Sequence, residues 1–167
     1  MIKPSVISVI GHQGSGKTTF LTQLISILIE RGYRVGTVKH APDKQELDSP
    51  DKDSSRHRVA GAEQRLVVGA VGYALFWEGA EEEPIDKMIE RLFPGYDIVL
   101  VEGFKRGPFP KIEIYRRLGD LNVEPLAGEI DVVAVVTEQR VVLPDGVRLL
   151  SPRRPEELAD LIEEEFL

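Results

Sequence analysis

The chain of 167 residues is 42% hydrophobic and 29% charged, proportions that fit a single globular domain with its own core. It contains no cysteine, which excludes a disulfide framework and any metal site built from thiolates. Its net charge of −7 at pH 7 argues against general nucleic-acid binding, because such binding depends on neutralising phosphates.

The sequence carries no apolar run close to the roughly 20 residues that are needed to span a bilayer. The N-terminal residues lead directly into a predicted strand, which leaves no room for a signal peptide. We therefore expect a cytoplasmic protein that binds neither membranes nor nucleic acid.

The first predicted strand and helix enclose a glycine-rich loop. Val6–Ile10 is an apolar, β-branched run, and the residues from about Lys17 to Glu30 carry apolar side chains at helical spacing, with Gly32 as the predicted helix end. Between them, Gly11–Thr18 matches the pattern G-x-x-x-x-G-K-[ST] at every fixed position. Strand, glycine loop and helix in this order indicate a site for the phosphates of a nucleotide.

The residue types in this loop explain the chemistry. Glycines let successive backbone N–H groups curl around a phosphate, and the helix N-terminus adds partial positive charge. Lys17 is expected to reach the β- and γ-phosphates, and the Thr18 hydroxyl to bind Mg²⁺. The predicted nucleotide-binding residues of the loop are Gly11, Gln13, Gly14, Ser15, Gly16, Lys17, Thr18 and Thr19.

The middle of the chain predicts a strand, a polar loop, a short helix and a hairpin. Arg34–His40 is the predicted second strand, and Ala41–Asp53 is a loop of about a dozen residues, a length that is usually functional or mobile. A short helix is expected over Ser54–Ala60. The apolar runs Arg65–Val68 and Tyr73–Trp77 then predict a hairpin or a pair of adjacent strands, an antiparallel extension around residues 64–77.

The charged residues of the polar loop allow two interpretations. Asp48, Asp53 and Arg56 follow a strand and could serve a metal, a phosphate or a substrate. They could equally belong to a solvated loop, with Asp53 or Ser54 capping the next helix. His40, at the end of the second strand, could likewise be a structural histidine.

A nearly continuous apolar run, Asp97–Glu102, predicts a strand that is buried on both faces. Its terminal acid has the position of a Walker B carboxylate, which holds Mg²⁺ through water or orients an attacking water. Lys105, in the loop that follows, could present a cation to a second anionic ligand or be an ordinary surface charge. The candidate catalytic residues are Lys17, Glu102 and Asp48, and the candidate metal ligands are Thr18 and Glu102.

The remaining elements complete an α/β pattern. A helix from Pro84 precedes the buried strand; strands over Lys111–Tyr115 and Val132–Thr137, shorter ones within Val141–Leu149 and a helix from Pro155 follow it. Alternating strands and helices predict a mainly parallel sheet flanked by helices. Ligands lie at the carboxyl ends of such strands, which predicts one shared edge for Gly11, His40, Glu102 and Thr137.

The base is harder to assign. The Asn-Lys-x-Asp motif with which Ras-like GTPases read guanine is absent, because Asn122 is the only asparagine. Topology alone places the loop Thr137–Arg140 where a base could be read.

Taken in order, five motifs resemble those of the MobB family, the GTP-binding proteins of molybdopterin-guanine dinucleotide cofactor biosynthesis. The motifs are Gly11–Thr18, Thr37–His40, Lys52–His57 with Ala60–Ala62, Val101–Lys105 and Pro110–Glu113. The resemblance implies a P-loop NTPase fold, GTP with Mg²⁺, weak GTP hydrolysis, a homodimer, and partnership with a MobA-type guanylyltransferase and with molybdopterin. Residues 1–167 would form one P-loop nucleotide-binding domain.

The resemblance places Lys39, His40, Asp48, Asp53 and Arg56 in a charged loop of the family. We predict a substrate or partner loop that is formed by Lys39, His40, Asp53, Arg56 and Lys105. The chain departs from the family in two places near this loop. Family members often have further histidines after the Lys-His pair, where this chain has Ala41-Pro42-Asp43. A Pro-Gly-Lys-Asp turn of the family is Pro50-Asp51-Lys52-Asp53 here.

The leading hypothesis is therefore a GTP-binding accessory protein with slow GTPase activity. One alternative is a P-loop small-molecule kinase that transfers the γ-phosphate to an acceptor at the Lys39–Arg56 loop. A third is an interaction module that dimerises through the apolar runs Leu66–Val68 and Tyr73–Trp77.

Overall fold

A computed structural model of the chain describes residues 3–42, 48–49, 52–77, 83–117 and 124–167. Backbone contacts divide the chain into two compact units. The larger unit comprises Met1–His40 and Ile89–Leu167, and the smaller unit comprises Ala41–Met88.

The helices and strands follow the predicted order. They are β1 (Ser5–Ile10), α1 (Lys17–Glu30), β2 (Val35–Lys39), α2 (Asp53–Val59), β3 (Gln64–Val68), β4 (Tyr73–Trp77), α3 (Ile85–Leu92), β5 (Ile98–Glu102), β6 (Lys111–Ile114), β7 (Ala134–Val136), β8 (Arg148–Leu150) and α4 (Pro155–Phe166). A single 3₁₀ turn at Leu126–Gly128 lies between β6 and β7. None of the helices among the described residues is long and apolar enough to cross a membrane.

The larger unit is built on a six-stranded sheet in the order β2-β5-β1-β6-β7-β8, in which every neighbouring pair is parallel. This confirms the predicted α/β fold with a mainly parallel sheet. The short strands expected within Val141–Leu149 reduce to β8, which begins only at Arg148.

Both faces of the sheet are covered, which explains why most residues of its central strands are apolar. Successive strand residues point to opposite faces. On one face, Ile7 and Leu100 pack against α1 and α4 through Leu24, Leu28 and Ile162, all at most 1% exposed. A smaller cluster, on the other face, contains Ile10, Tyr115, Leu126, Ala127, Val132 and Val135. Full burial of one such aliphatic side chain contributes about 1.5–3 kcal/mol.

The strand register brings the predicted site residues to one edge. Glu102, the last residue of β5, is paired with Lys39 of β2 on one side and with Val9 of β1 on the other. Gly11, His40 and Thr137 follow the carboxyl ends of β1, β2 and β7. The prediction that Gly11, His40, Glu102 and Thr137 share one edge of the sheet is confirmed.

The smaller unit contains α2 and the antiparallel pair β3–β4, which confirms the predicted hairpin. Its turn is closed by a backbone hydrogen bond from the Gly69 N–H to the Gly72 carbonyl at 2.8 Å. The prediction that Asp53 or Ser54 caps α2 is wrong. The helix begins at Asp53 itself, and the preceding residue, Lys52, makes no side-chain cap hydrogen bond.

Candidate functional site

The loop between β1 and α1 needs glycine at three of its positions. Gly14 and Gly16 have φ of 78° and 94°, a left-handed conformation that is strained for residues with a Cβ atom. At Gly11, a Cβ atom would lie 2.3 Å from the Ile114 carbonyl oxygen of the neighbouring strand. The glycines therefore serve both the curl of the loop and its close approach to the sheet.

Other groups of the loop are buried without partners. Among the described residues, neither the Ser15 hydroxyl nor Nε2 of His12 has a hydrogen-bond partner. Gln13 and Thr19, both predicted to contact the nucleotide, are exposed.

Lys17 lies across this loop. Its Nζ donates hydrogen bonds to the carbonyl oxygens of His12 at 2.8 Å and Gly11 at 3.2 Å. Partial burial lowers the pKa of Lys17 from its ordinary value, and the charges of Lys105 and Lys39 lower it further, whereas the carboxylate of Glu102 raises it. The Lys17 ammonium is thus poorly hydrated and held at the loop, where an anion would stabilise it.

Glu102 contacts two other predicted site residues at this edge of the sheet. Its Oε1 accepts a hydrogen bond from the Thr18 hydroxyl at 2.9 Å, and Nζ of Lys39 lies 3.3 Å from the same oxygen. The Glu102 side chain is only 17% exposed. Lys17, Thr18, Lys39 and Glu102, four of the residues predicted from sequence, are therefore brought together.

Thr18 and Glu102 form a donor set that suits Mg²⁺. This ion prefers hard oxygen ligands, uses few from the protein, and completes its shell with waters and substrate phosphates. Within the described ranges, no group of three or more His, Asp or Glu side chains is placed to hold a metal by itself. One hydroxyl and one carboxylate at the phosphate loop fit a metal that arrives with a nucleotide.

The loop after β5 has a strained and tightly packed course. Gly103 and Phe104 both have positive φ, 93° and 61°, and the latter is unusual for an aromatic residue. The Phe104 ring packs edge-on against the His40 ring, with 4.7 Å between the two ring centroids. A Cβ atom at Gly107 would lie 2.0 Å from the Phe104 ring, so a side chain there would require this ring to move. His40 thus has a packing role, and the loop carries Lys105 close enough to affect Lys17.

Thr137 uses its hydroxyl within its own loop. The side chain is 6% exposed, and Oγ1 accepts a hydrogen bond from the Gln139 N–H at 3.1 Å. Oε1 of Gln139 in turn accepts from the Arg117 N–H at 2.8 Å. These bonds fix the loop after β7 at the same edge of the sheet, and its contact with a base stays a prediction.

Asp48, Asp53 and Arg56 belong to the smaller unit. Asp53 and Arg56 form an exposed ion pair at 3.6 Å, and such pairs contribute about 0–1 kcal/mol. Oδ2 of Asp48 is buried without a hydrogen-bond partner in the described part of the chain. Most of the predicted polar loop, residues 43–47 and 50–51, lies outside the described residues. The catalytic role of Asp48 and the partner roles of Asp53 and Arg56 stay predictions.

Glu113 was given no role by the sequence analysis, although it lies in a strand of the core. It is completely buried, and its two carboxylate oxygens accept hydrogen bonds from the N–H groups of Leu126 at 2.8 Å and Ala127 at 3.0 Å. An acid between Ile112 and Ile114 in an otherwise buried strand is the signal that could have identified it. Its partners lie 13 and 14 residues further along the chain, which no local pattern shows.

Comparisons with known proteins agree with this geometry. The family model described as molybdopterin guanine dinucleotide synthesis protein B matches residues 6–138. The chain is similar to the molybdopterin-guanine dinucleotide biosynthesis adapter protein of Escherichia coli, at 38% identity over 90% of this chain and 87% of that protein. It is also similar to the protein of the same name from Haemophilus influenzae, at 34% identity over 95% and 87% of the two chains.

A solved structure gives the same result. The crystal structure of molybdopterin-guanine biosynthesis protein B (mobB) superposes with a TM-score of 0.73 at 28% identity, over 95% of this chain and 98% of that one. Its similarity confirms the P-loop NTPase-like fold. The resemblance inferred from five motifs is confirmed as well, and the chain belongs to the MobB family of molybdopterin-guanine dinucleotide biosynthesis proteins.

Proposed function

We propose that the chain binds GTP with Mg²⁺, hydrolyses it slowly, and acts as an adaptor for a MobA-type guanylyltransferase. The observation that carries this proposal is the contact between Thr18 and Glu102 at a Walker A loop, beside Lys17. Family membership supports the pathway, because the curated relatives are named as adapter proteins of molybdopterin-guanine dinucleotide biosynthesis. Residues 1–167 would act as one nucleotide-binding domain in the cytoplasm.

The loop residues would divide the work of binding. Backbone N–H groups of the residues from Gln13 to Thr19 would surround the phosphates, with Gly11 giving the loop its close approach to the sheet. Lys17 would exchange its two carbonyl partners for β- and γ-phosphate oxygens. Thr18 and Glu102 would hold Mg²⁺, which supplies positive charge against the same oxygens.

Slow hydrolysis is what the surroundings of Glu102 favour. A carboxylate that activates water must be free to take a proton. When the nucleotide is bound, Glu102 would instead be engaged in holding Mg²⁺ beside the Thr18 hydroxyl, so its carboxylate would not be free to take a proton from water. Such a site binds a nucleotide more readily than it cleaves one, which suits an adaptor.

The proposed homodimer and partner contacts would use exposed side chains. The exposed apolar side chains of β3 and β4 would form the contact of a homodimer; Leu66 is 61% exposed, Val68 65% and Tyr73 79%. The guanylyltransferase, or molybdopterin itself, would meet the charged residues of the predicted partner loop. These are Lys39, His40, Asp53, Arg56 and Lys105, while the loop from Thr137 would read the base.

Calorimetric titration of GTP and of ATP, each with Mg²⁺, tests the proposal. We expect a clear preference for GTP. Replacing Lys17 by alanine should weaken binding about 10- to 100-fold, since charge-assisted hydrogen bonds contribute about 1.5–3 kcal/mol. Lys3→Ala is the matched control, because Lys3 pairs with Glu90 on the surface. A preference for ATP, with a phosphorylated product, would contradict the proposal and favour the kinase alternative.

A further inference from the structure

Two cationic or donor groups already occupy the carboxylate oxygen that a metal would use. Oε1 of Glu102 receives the Thr18 hydroxyl at 2.9 Å and the Lys39 ammonium at 3.3 Å. Lys39 and Glu102 are register partners at the ends of the parallel strands β2 and β5, so their side chains leave the same face of the sheet. The contact between Lys39 and Glu102 is therefore a consequence of the fold, although the Lys39 side chain is 60% exposed.

We propose that Lys39 is a resident counter-cation of Glu102, which competes with Mg²⁺ for that carboxylate and is displaced when the metal and the nucleotide bind. This inference rests on the nucleotide and metal binding proposed above. An ammonium and a metal ion, or a water bound to that ion, need the same oxygen lone pairs, and the two positive charges repel each other. Lys39 would thus set the metal affinity of the site.

The two groups that contact Oε1 of Glu102 differ in mobility, which makes the exchange of Lys39 for the metal feasible. Lys39 is a lysine on a flexible four-carbon stem, exposed to solvent, so its ammonium can leave Glu102 with little cost. Thr18, in contrast, has a short side chain on the first turn of α1, so its hydroxyl stays near Glu102. When Mg²⁺ is absent, Lys39 pairs with a mostly buried carboxylate, since the Glu102 side chain is only 17% exposed.

Lys105 provides a matched control for a purely long-range effect. Its charge also acts on Lys17, where it lowers the pKa more than the charge of Lys39 does. Among the described residues, however, the ion pair of Glu102 is made by Lys39 and not by Lys105. Removing either ammonium should weaken nucleotide binding in general, but only removing Lys39 should free the metal position.

The experiment measures the dissociation constant of a fluorescent GTP analogue in excess Mg²⁺ and in EDTA. It compares the unmodified chain with Lys39→Met, Lys39→Arg and Lys105→Met, after thermal melts have shown that all four are folded. The readout is the ratio of the EDTA value to the Mg²⁺ value. We expect this ratio to rise about fivefold in Lys39→Met, the fold-change of an ion pair at the upper end of the exposed range. It should stay within about twofold of the unmodified chain in the other two variants.

A second measurement titrates Mg²⁺ and follows the affinity for the GTP analogue. The Mg²⁺ concentration at which this affinity has changed by half of its full amount should fall about fivefold in Lys39→Met. Metal-dependent binding with an unchanged ratio in Lys39→Met, or an equal rise in Lys105→Met, would overturn the inference and leave the proposed function standing. Nucleotide binding that ignores Mg²⁺ in the unmodified chain would overturn both.

Discussion

The buried carboxylate of Glu113 offers a sharp test of how the larger unit is held together. It is 0% exposed, and each of its oxygens accepts one backbone N–H, from Leu126 and from Ala127. In Glu113→Gln the shape is nearly unchanged, but one oxygen becomes an NH₂ group that faces a backbone donor. One buried N–H then loses its partner.

The magnitude follows from this exchange. An unsatisfied buried donor costs about 1–3 kcal/mol, and the surviving bond weakens because the acceptor is no longer charged. Removing a buried charge offsets part of the loss. We expect a net destabilisation of about 2 kcal/mol, which lowers the melting temperature of a chain of this size by about 4–8 °C.

Urea denaturation followed by circular dichroism measures the change. Glu129→Gln is the matched control, since Glu129 is exposed and should change stability by less than about 0.5 kcal/mol. Equal stability of the two variants would show that the two hydrogen bonds of Glu113 do not anchor the turn at Leu126–Gly128.

Three further predictions concern the loop, its lysine and the hairpin. Gly16→Ala should destabilise the fold by about 1–2 kcal/mol in thermal melts, because its φ of 94° strains a side chain, whereas Gly128→Ala, at ordinary φ, should not. The pKa of Lys17 is lowered from 10.5 in the folded state, so stability should rise as pH increases from that folded pKa towards 10.5. Between about pH 8 and about pH 10, the stability of the unmodified chain should rise more than that of Lys17→Met in denaturation experiments. An equal rise in the two proteins would contradict this prediction. Glutamate at both Leu66 and Tyr73 should convert a dimer to a monomer in light scattering, and an unchanged mass would rule out the hairpin as the contact.

Local patterns were sufficient for the elements and for the phosphate loop. The helix end at Gly32 was predicted from residue type, and this glycine has a left-handed φ of 95°. The hairpin followed from two apolar runs with glycines between them. In each of these cases the residues that determine the structure are close together in the chain.

Contacts between distant residues were not predictable in this way. The pairing of Lys39 with Glu102 depends on β2 lying beside β5 in the sheet. Along the chain, 62 residues lie between Lys39 and Glu102, and they include α2, β3, β4 and α3. Phe104 has a positive φ that no residue-type rule assigns to an aromatic residue; its ring packs against His40. Glu113 lies in one of the five motifs, but its two hydrogen bonds depend on a turn that begins 13 residues further along the chain.

The proposed function requires that this chain supports guanylyl transfer through a nucleotide held by its phosphate loop. A reconstituted reaction tests it most directly, with a MobA-type guanylyltransferase, molybdopterin, GTP and Mg²⁺, and with formation of molybdopterin-guanine dinucleotide as the readout. We predict that adding the chain raises the rate and that adding folded Lys17→Ala does not. Equal rates with the chain, with the variant and with neither would contradict the proposed function.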